Sequence, residues 1–401
     1  MRNAPLMSLA DIAESVRYGY TASASDTEIG PKFLRITDIV PPQIDWNTVP
    51  YCEIDEKNFA KFSLAPGDLV IARTGATVGY AKLIRNNDET SVFASYLVRV
   101  RVDPDKADPG YVGRIVESDV YKRFVRSHIS GAAQPNANAK VLSSFKLPIP
   151  KRHVQIRIAS ILSAYDDLIE NNRRRIQLLE QSAQLLYKEW FVHLRFPGHE
   201  HVTITDGVPE GWEKKNALNV MDVLSGGTPK TSVPDYWNGE IPFFTSKDTT
   251  DYAYIFSTER TLTEEGLRNC SSRLYPKDTV FITARGTVGK INLAQTDMAM
   301  NQSCYALVAK PPLNQQFLYF AMVENVEQFR SRAVGAIFDA IIRNTFKLIP
   351  FVVPEIKLID MFTNIISPTL QQIDVLSTEI RKLTQARDLL LPRLMNGQIS
   401  V

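Results

Sequence analysis

The chain has 401 residues, 44% hydrophobic and 22% charged, a balance typical of a soluble globular protein with more than one domain. Its net charge of +2, from 46 basic and 44 acidic side chains, excludes a globally basic nucleic-acid-binding protein, so any such surface must be a local face. No apolar run is long enough for a membrane span or a signal peptide, which predicts a cytoplasmic protein. Cys52, Cys270 and Cys304 lack metal or redox spacing and are expected to be reduced thiols.

One stretch of the sequence occurs twice. Residues 66–79, PGDLVIARTGATVG, align without a gap with residues 276–289, PKDTVFITARGTVG, at an offset of 210. Asp38 and Asp248 pair at the same offset, and later segments pair at offsets of 208 and then 204. Glycines, prolines and apolar residues match in order throughout, which predicts an internal duplication.

Each copy is predicted to contain an α+β domain followed by a long helix. The two domains are expected to end in a strand with one apolar face, formed by Phe145, Leu147 and Ile149 in the first copy and by Ile349, Phe351 and Val353 in the second. The predicted organisation is a first domain at 1–150, a central helix at 151–195, a linker at 196–209, a second domain at 210–353 and a C-terminal helix at 354–401.

Both predicted helices carry an apolar seam whose spacings alternate between four and three residues, as in a coiled coil. The first seam consists of Ile158, Leu162, Tyr165, Ile169, Asn172, Ile176, Leu179, Ala183, Leu186 and Trp190. The second consists of Phe362, Ile366, Thr369, Ile373, Leu376, Ile380, Leu383, Arg387, Leu390 and Leu394. So long a seam favours pairing of the two helices over packing of each on its own domain. An antiparallel pair would place the domains at opposite ends of a rod.

Three residues interrupt the pattern of these helices. Arg387 is the main defect of the second seam, and Pro368 is expected to kink the second helix or to start it anew. Asn172 would cost stability at a core position, where it could fix the register of the pair, although an exposed asparagine at a bent seam is an equal alternative.

No catalytic or cofactor-binding motif is found in the sequence. Residues 286–290, GTVGK, lack the spacing of a phosphate-binding loop, and no nucleophile or acid–base pairing has a recognisable order. His193, His199 and His201 lie in a predicted linker without a second cluster of ligands, so no metal site is expected. The chain is therefore predicted to be non-catalytic and to hold no cofactor of its own.

Several glycine-containing or polar loops carry side chains that could contact DNA phosphates or base edges. The repeated turn would either close a hairpin through Gly75 and Gly79, with Thr77 and Val78 in a strand, or present donors to DNA. Residues 131–140, GAAQPNANAK, would be either a polar loop or a reader of adenine edges. The candidate DNA-binding residues are Lys32, Arg35, Arg73, Thr74, Thr77, Gln134, Asn136, Asn138, Lys140, Thr228, Lys230, Lys247, Arg285, Thr287, Lys290 and Arg343.

The chain resembles the specificity subunit of type I restriction-modification systems. Residues 225–248, SGGTPKTSVPDYWNGEIPFFTSKD, are similar to the opening of one class of target-recognition domain, and residues 31–39 with 66–79 look like another. Residues 186–200, LYKEWFVHLRFPGHE, are similar to the end of the central helix of that family, and residues 389–399, LLLPRLMNGQI, to that of the terminal helix. The resemblance covers essentially the whole chain.

This resemblance implies two target-recognition domains that each read one half of a split double-stranded DNA sequence, with the two helices as an antiparallel spacer. It implies two methyltransferase subunits, which hold S-adenosylmethionine, and restriction subunits that use ATP and Mg²⁺ for translocation and cleavage. Replacement of residues 134–136, QPN, by residues 338–340, FDA, predicts a non-palindromic target.

Two alternatives come from other classes of protein. A scaffold that binds only other proteins through its duplicated domains would suit the neutral charge balance and the aromatic residues Phe256 and Phe338. An enzyme with an active site formed between the domains is disfavoured, because no acid–base or nucleophile pairing is found.

Overall fold

The computed structural model describes residues 4–85, 89–129, 135–333, 340–395 and 398–399. The chain folds as two units, of which unit 1 comprises Met1–Asp167 with Leu383–Val401 and unit 2 comprises Leu168–Lys382. Each unit therefore contains one mixed domain and parts of two long helices.

Unit 1 contains eight strands in its described part. They are β1 (Leu6–Ser8), β2 (Ala13–Tyr18), β3 (Lys32–Leu34), β4 (Asp68–Ala72), β5 (Ala81–Leu83), β6 (Ser91–Phe93), β7 (Leu97–Val102) and β8 (Lys146–Pro148). The helices that begin in it are α1 (Leu9–Ile12), α2 (Ile36–Ile39), α3 (Glu56–Phe62), α4 (Pro109–Val116), α5 (Asp119–Ser127), α6 (Ala139–Ser143) and α7 (Arg152–Tyr187). The last part of α7 belongs to unit 2, where a π-helical turn at Lys188–Val192 follows it.

The described part of unit 2 contains twelve strands. Its strands are β9 (Ile204–Thr205), β10 (Val208–Pro209), β11 (Glu213–Asn216), β12 (Met221–Ser225), β13 (Trp237–Phe244), β14 (Tyr254–Ile255), β15 (Arg260–Leu262), β16 (Val280–Thr283), β17 (Ile291–Ala294), β18 (Ala299–Met300), β19 (Cys304–Ala309) and β20 (Pro350–Val353). Its helices are α8 (Ala217–Val220), α9 (Glu264–Arg268), α10 (Gln315–Ala333), α11 (Arg343–Lys347) and α12 (Ile356–Met395), with 3₁₀ turns at His199–His201 and Pro234–Tyr236.

The two units have the same sheet topology, which confirms the predicted duplication. The strand order β2-β7-β4-β5 of unit 1 recurs as β12-β19-β16-β17 in unit 2, with β14 added at one edge. The parallel pair β3-β6 recurs as β13-β18, and the antiparallel pair β1-β8 recurs as β11-β20. The predicted apolar faces of β8 and β20 are confirmed, because all six side chains named for them are at most 8% exposed.

The repeated turn differs in length between the copies, so the gapless alignment at 210 is wrong within it. The N–H of Ala72 donates to the carbonyl of Tyr80, and that of Thr283 donates to the carbonyl of Lys290. Seven residues separate the first pair and six the second. The structural counterpart of Arg73 is consequently Ala284, one residue before Arg285.

Helices α7 and α12 pair antiparallel where they lie in unit 2. The apolar cluster of that unit includes Ile176 near the middle of α7 with Ile373 of α12, and Tyr187 at the end of α7 with Phe362 near the start of α12. Of the predicted seam residues in unit 2, Ile169, Asn172, Ile176, Phe362, Ile366, Ile373 and Leu376 are buried, and Leu179, Leu186 and Ile380 are half-buried. Leu370, which the heptad pattern omits, is 2% exposed, whereas Thr369 is half-buried.

The ends of the same helices meet in unit 1. There Ile158 and Leu162 are buried in a cluster with Leu394, while Tyr165, Leu383 and Leu390 are half-buried. Asp166 is 8% exposed and forms ion pairs with three arginines. They are Arg85 after β5, Arg114 in α4 and Arg387 in α12. The predicted seam defect Arg387 is therefore the partner of a buried carboxylate.

A new start at Pro368, one of the two expected outcomes, is not found, since α12 runs as one helix from Ile356 to Met395. Proline lacks the N–H that would bond to the carbonyl four residues earlier, and its exposed position on α12 leaves that carbonyl near water.

The three cysteines are free, as predicted, and burial raises the pKa of Cys52 to about 11 and that of Cys304 to about 12. Thiols with such pKa values are poor nucleophiles. Among the residues described, no group of three or more His, Cys, Asp or Glu side chains could hold a metal ion, and no helix is long and apolar enough to cross a membrane.

Candidate nucleic-acid interface

Four loops of unit 1 come together at one end of the sheet β2-β7-β4-β5. The N–H of Gly19 donates to the carbonyl of Leu97, and the N–H of Arg73 donates to the carbonyl of Tyr96. The carbonyl of Arg73 in turn accepts the N–H of Ala137 at 2.8 Å. We call the segments 18–20, 73–79, 94–96 and 135–140 loop surface 1. It unites two candidate segments that are about sixty residues apart in the sequence.

Gly75 and Gly79 lie in the turn of a hairpin between β4 and β5, which is one of the two alternatives stated for this segment. Their φ angles of +79° and +85° lie in the left-handed region that glycine adopts without strain. Thr77 and Val78 lie in the turn itself, so their prediction as strand residues is wrong. Thr74 forms an isolated antiparallel bridge with Asn136, which joins the turn to the second candidate segment.

The polar side chains of loop surface 1 differ in how many hydrogen bonds they already make within the protein. Asn136 is exposed, and its Oδ1 accepts a bond from Nη2 of Arg73 at 3.4 Å. Asn138 is the N-cap of α6, where its Oδ1 accepts the N–H of Val141, so its amide N–H groups remain free for a ligand. Lys140 is exposed on α6. Surface 1 thus offers mostly hydrogen-bond donors. Phosphate oxygens and the N7 and O6 atoms of purines accept hydrogen bonds from such donors.

Unit 2 has the corresponding surface, built by the same contacts. The N–H of Ala284 donates to the carbonyl of Ser303, and the carbonyl of Ala284 accepts the N–H of Ile341 at 2.9 Å. The hydroxyl of Thr228 donates to Oε1 of Gln302 at 2.5 Å, which ties the residues before β13 to the same place. We call the segments 225–230, 284–289, 301–303 and 340–343 loop surface 2.

The predicted candidates of unit 2 are mostly exposed on or beside this surface. Arg285 and Thr287 are exposed on the turn, Arg343 is exposed at the start of α11, and Lys230 is exposed after Thr228. Lys247 is exposed next to Ser246, whose hydroxyl lies 3.7 Å from the position of a Cβ on Gly286. Surface 2 is therefore basic, and its amide side chains, Asn301 and Gln302, lie on a different loop from Asn136 and Asn138 of surface 1.

Three other candidates have their polar groups engaged within the protein. Lys32 is 5% exposed and donates from Nζ to the carbonyl of Val49, so its charge does not reach the surface. Lys290 pairs with Asp251 at 2.7 Å. Arg35 binds Asp38 through two nitrogens, and this hydrogen bonding raises its pKa. Gln134, Phe338 and Asp339 lie outside the described residues.

Gly226 and Gly227, which precede the candidate Thr228, have a structural role. A Cβ on Gly226 would lie 2.3 Å from the carbonyl oxygen of Met300, and one on Gly227 would lie 2.1 Å from the hydroxyl of Ser271. Both positions are too close for any side chain. The two glycines let this segment pack closely against Met300 and Ser271 of the same unit.

Two tyrosines that the sequence did not single out lie on loop surface 1, and an arginine–tryptophan pair with a buried tryptophan lies beside loop surface 2. Tyr18 and Tyr96 of surface 1 are 43% and 60% exposed. In unit 2, Arg260 stacks on Trp237 with its guanidinium carbon 3.2 Å from the ring centroid, and the Trp237 indole donates to the carbonyl of Lys230. An aromatic residue next to a basic one in the sequence would have indicated such a contact. Arg260 and Trp237 are instead brought together only by the fold. Aromatic and arginine side chains together suit nucleic-acid contact.

One strongly perturbed acid lies elsewhere, on α7 in unit 2. Burial raises the pKa of Glu180 to about 7, against the opposing effect of the bond it accepts from the N–H of Ala253. It lines a cavity of about 190 Å³ with Lys290 and Tyr252 among others. Gly289, the last residue of the 284–289 turn, lines the same cavity, but Glu180 itself lies on α7 and not on the loops of surface 2.

Comparisons with known proteins agree on one family. The family model described as "Type I restriction modification DNA specificity domain" matches residues 5–181 and again residues 209–386. The HindI specificity subunit of a type I restriction enzyme from Haemophilus influenzae is 22% identical over 98% of both chains. The MjaIX specificity subunit from Methanocaldococcus jannaschii is 30% identical over 37% of this chain and 36% of its own.

The fold is also similar to a solved structure. A type I restriction-modification S subunit from M. genitalium superposes with a TM-score of 0.59 and 16% sequence identity, and the match covers 98% of this chain and 97% of that one. Because only 16% of the residues are identical, this similarity shows a shared fold and nothing more. It covers both units and both long helices.

Proposed function

This chain belongs to the type I restriction modification DNA specificity domain family, and we propose on that basis that its two units read different parts of one split DNA sequence. DNA sequence recognition is the function of the chain. The finer proposal is that loop surface 1 reads one half of the target and loop surface 2 reads the other. The helices α7 and α12 would act as the spacer between the two halves.

The observation that carries this proposal is the pair of equivalent but diverged loop surfaces. Each consists of the same four loops on the same sheet, so that each unit can approach DNA in the same way. Surface 1 presents Arg73 and Asn136, whereas the structural counterparts of these residues in unit 2 are Ala284 and Ala340. Different base-reading groups on a common framework support two different half-sites and an asymmetric target.

We place catalysis in partner subunits. The loop surfaces carry arginine, asparagine, threonine and tyrosine but no nucleophile paired with a base, which suits recognition and not bond breaking. We propose that two methyltransferase subunits holding S-adenosylmethionine bind this chain, and that restriction subunits using ATP and Mg²⁺ join the complex. Duplication would support two copies of one partner, because each unit with its helix segment offers a similar docking surface.

A domain exchange tests the proposal. The chain is expressed with its cognate methyltransferase subunit in a host without other methylation of the same motif, and genomic methylation is mapped. Replacement of residues 210–353 by the corresponding segment of a relative should change one half of the methylated motif and leave the other half intact. The matched control replaces residues 1–150 and should change only the other half. Changes in both halves from either exchange would contradict independent reading.

A further inference from the structure

Arg73 is held in place by its backbone and by its side chain. Its N–H and carbonyl bond to Tyr96 and Ala137, so the main chain is fixed on both sides. Its guanidinium carbon lies 4.8 Å from the centroid of the Tyr18 ring, and Nη2 donates to Asn136. A planar guanidinium held against an aromatic ring loses little further freedom when it binds a ligand.

The charge of Arg73 has no carboxylate partner among the described residues of the chain. Its Nε atom is buried without a hydrogen-bond acceptor, and the single side-chain bond of Nη2 is long at 3.4 Å. Arg101 of the same unit is by contrast neutralised by Asp68, to which it donates two bonds of 2.7 Å each. Arg73 is therefore half-buried with a fixed guanidinium plane, and its Nη groups keep unused donors beside the exposed Asn136, which is the state expected of a ligand-binding group.

Tyr18 connects this arginine to the second candidate segment. Its hydroxyl accepts the N–H of Ala139 at 2.9 Å, directly after the N-cap residue Asn138. The ring of Tyr18 thus contacts the turn at 73–79 while its hydroxyl binds the start of α6. Loss of the ring would release the Arg73 side chain, whereas loss of the hydroxyl alone would leave the stacking.

We propose that Arg73 reads a guanine in the half-site bound by unit 1, with Tyr18 as the residue that positions it. In the major groove guanine presents two acceptors, O6 and N7, side by side, and the two parallel N–H donors of a guanidinium match them. Adenine presents one acceptor and one donor at the same place, so a guanidinium discriminates against it. This inference depends on the proposed function and specifies the base that surface 1 recognises.

The inference applies to one half of the target only. The structural counterpart of Arg73 in unit 2 is Ala284, and that of Tyr18 is Ser225, as the pairing of β12 with β19 shows. Arg285 is shifted by one residue and has no aromatic residue in the place of Tyr18. A change at Arg73 should therefore leave the half-site of unit 2 untouched.

The test uses the complete complex with its methyltransferase subunit and compares Arg73→Lys, Arg73→Gln, Tyr18→Leu and Tyr18→Phe. Methylation rates are measured on duplexes in which each base pair of the motif is varied, and the domain exchange identifies the half that unit 1 reads. Lysine keeps the charge but lacks the planar fork, so Arg73→Lys should reduce discrimination at one G·C pair by roughly 5- to 150-fold. Tyr18→Leu should relax the same pair, and Tyr18→Phe should do so far less.

Arg126→Lys, at an exposed arginine of α5, is the matched control and should keep the motif and its discrimination. Complex assembly and thermal melting of each variant separate misfolding from altered reading. The inference is overturned if Arg73→Lys keeps full discrimination or if the relaxed pair lies in the other half. It is also overturned by an even loss over all sequences with a weaker salt dependence, which would mark a phosphate contact. Failure of the wild-type complex to methylate any split motif would instead refute the proposed function.

Discussion

Arg387 in α12 donates from Nη1 to Oδ1 of Asp166 in α7 across 2.7 Å. Asp166 also pairs with Arg114 and with Arg85, so one buried carboxylate meets three guanidinium groups. A position that breaks the apolar heptad pattern thus supplies a charge that joins the last part of α12 to the core of unit 1.

This cluster predicts unequal costs for removing its members. Asp166→Leu should lower the free energy of unfolding by about 3–5 kcal/mol, because it leaves buried arginine charge uncompensated. Arg387→Leu should cost only about 1 kcal/mol, since Asp166 keeps two arginines and the apolar seam is restored. Urea unfolding of the purified chain measures both values. Equal costs would contradict the central role of the carboxylate.

Asn172 is 6% exposed and donates from Nδ2 to Oε2 of Glu379 at 3.1 Å, within unit 2. Asn172→Leu should raise the free energy of unfolding by about 1 kcal/mol, because burial of leucine gains more than the loss of one bond to an exposed glutamate. The control Glu379→Gln keeps an acceptor and should change little. A lower unfolding midpoint for Asn172→Leu would mean that the polar contact itself stabilises the pair.

Glu180 predicts a dependence of stability on pH. Its pKa is raised from 4.5 to about 7, chiefly by burial. The folded protein then holds this proton more tightly than the unfolded chain, so the free energy of unfolding falls as pH rises through that interval. Glu180→Gln should remove this fall and should be the more stable protein above pH 7, by on the order of 2–3 kcal/mol.

The measurement for Glu180 is the urea midpoint at several pH values between 5 and 8. The exposed Glu240→Gln serves as the matched control and should follow the wild-type curve. A wild-type stability that rises over this range relative to Glu180→Gln would show that the carboxylate is stabilised in its charged form.

Lys140 predicts a contribution to affinity without sequence preference. Its ammonium is exposed on α6 beside the base-reading groups, where it can neutralise a phosphate. Lys140→Gln should weaken DNA binding evenly over all sequences and reduce the slope of log affinity against log salt by about 1. Binding titrations over a range of salt concentrations test this, with subunit assembly as the control. A change of preferred sequence, or loss of assembly, would contradict a phosphate contact.

The sequence predicted the duplication, the two long helices and the closing strands, because these depend on short-range periodicity and on ordered matches. It could not detect the one-residue difference in the repeated turn, since the matching Thr, Val and Gly residues conceal it. Only the pairing of Ala72 with Tyr80 and of Thr283 with Lys290 shows that Arg73 and Arg285 occupy different places.

Other differences arise from tertiary contacts that a local pattern does not contain. Lys32 is basic and follows a proline, yet its ammonium is buried against Tyr51. Arg387 looks like a defect until Asp166 is placed opposite it. Pro368 interrupts a sequence pattern, but tertiary packing on both sides keeps α12 helical, at Ile366 and at Leu370.

Unit 1 is built from two stretches of sequence, and the second of them follows all of unit 2. Leu394 and its neighbours complete the apolar cluster that Ile158 and Leu162 begin. A nascent polypeptide leaving the ribosome therefore carries an unfinished first core until more than two hundred further residues have been translated. Premature termination anywhere in unit 2 would release a product whose earliest-made part stays uncovered and prone to aggregate.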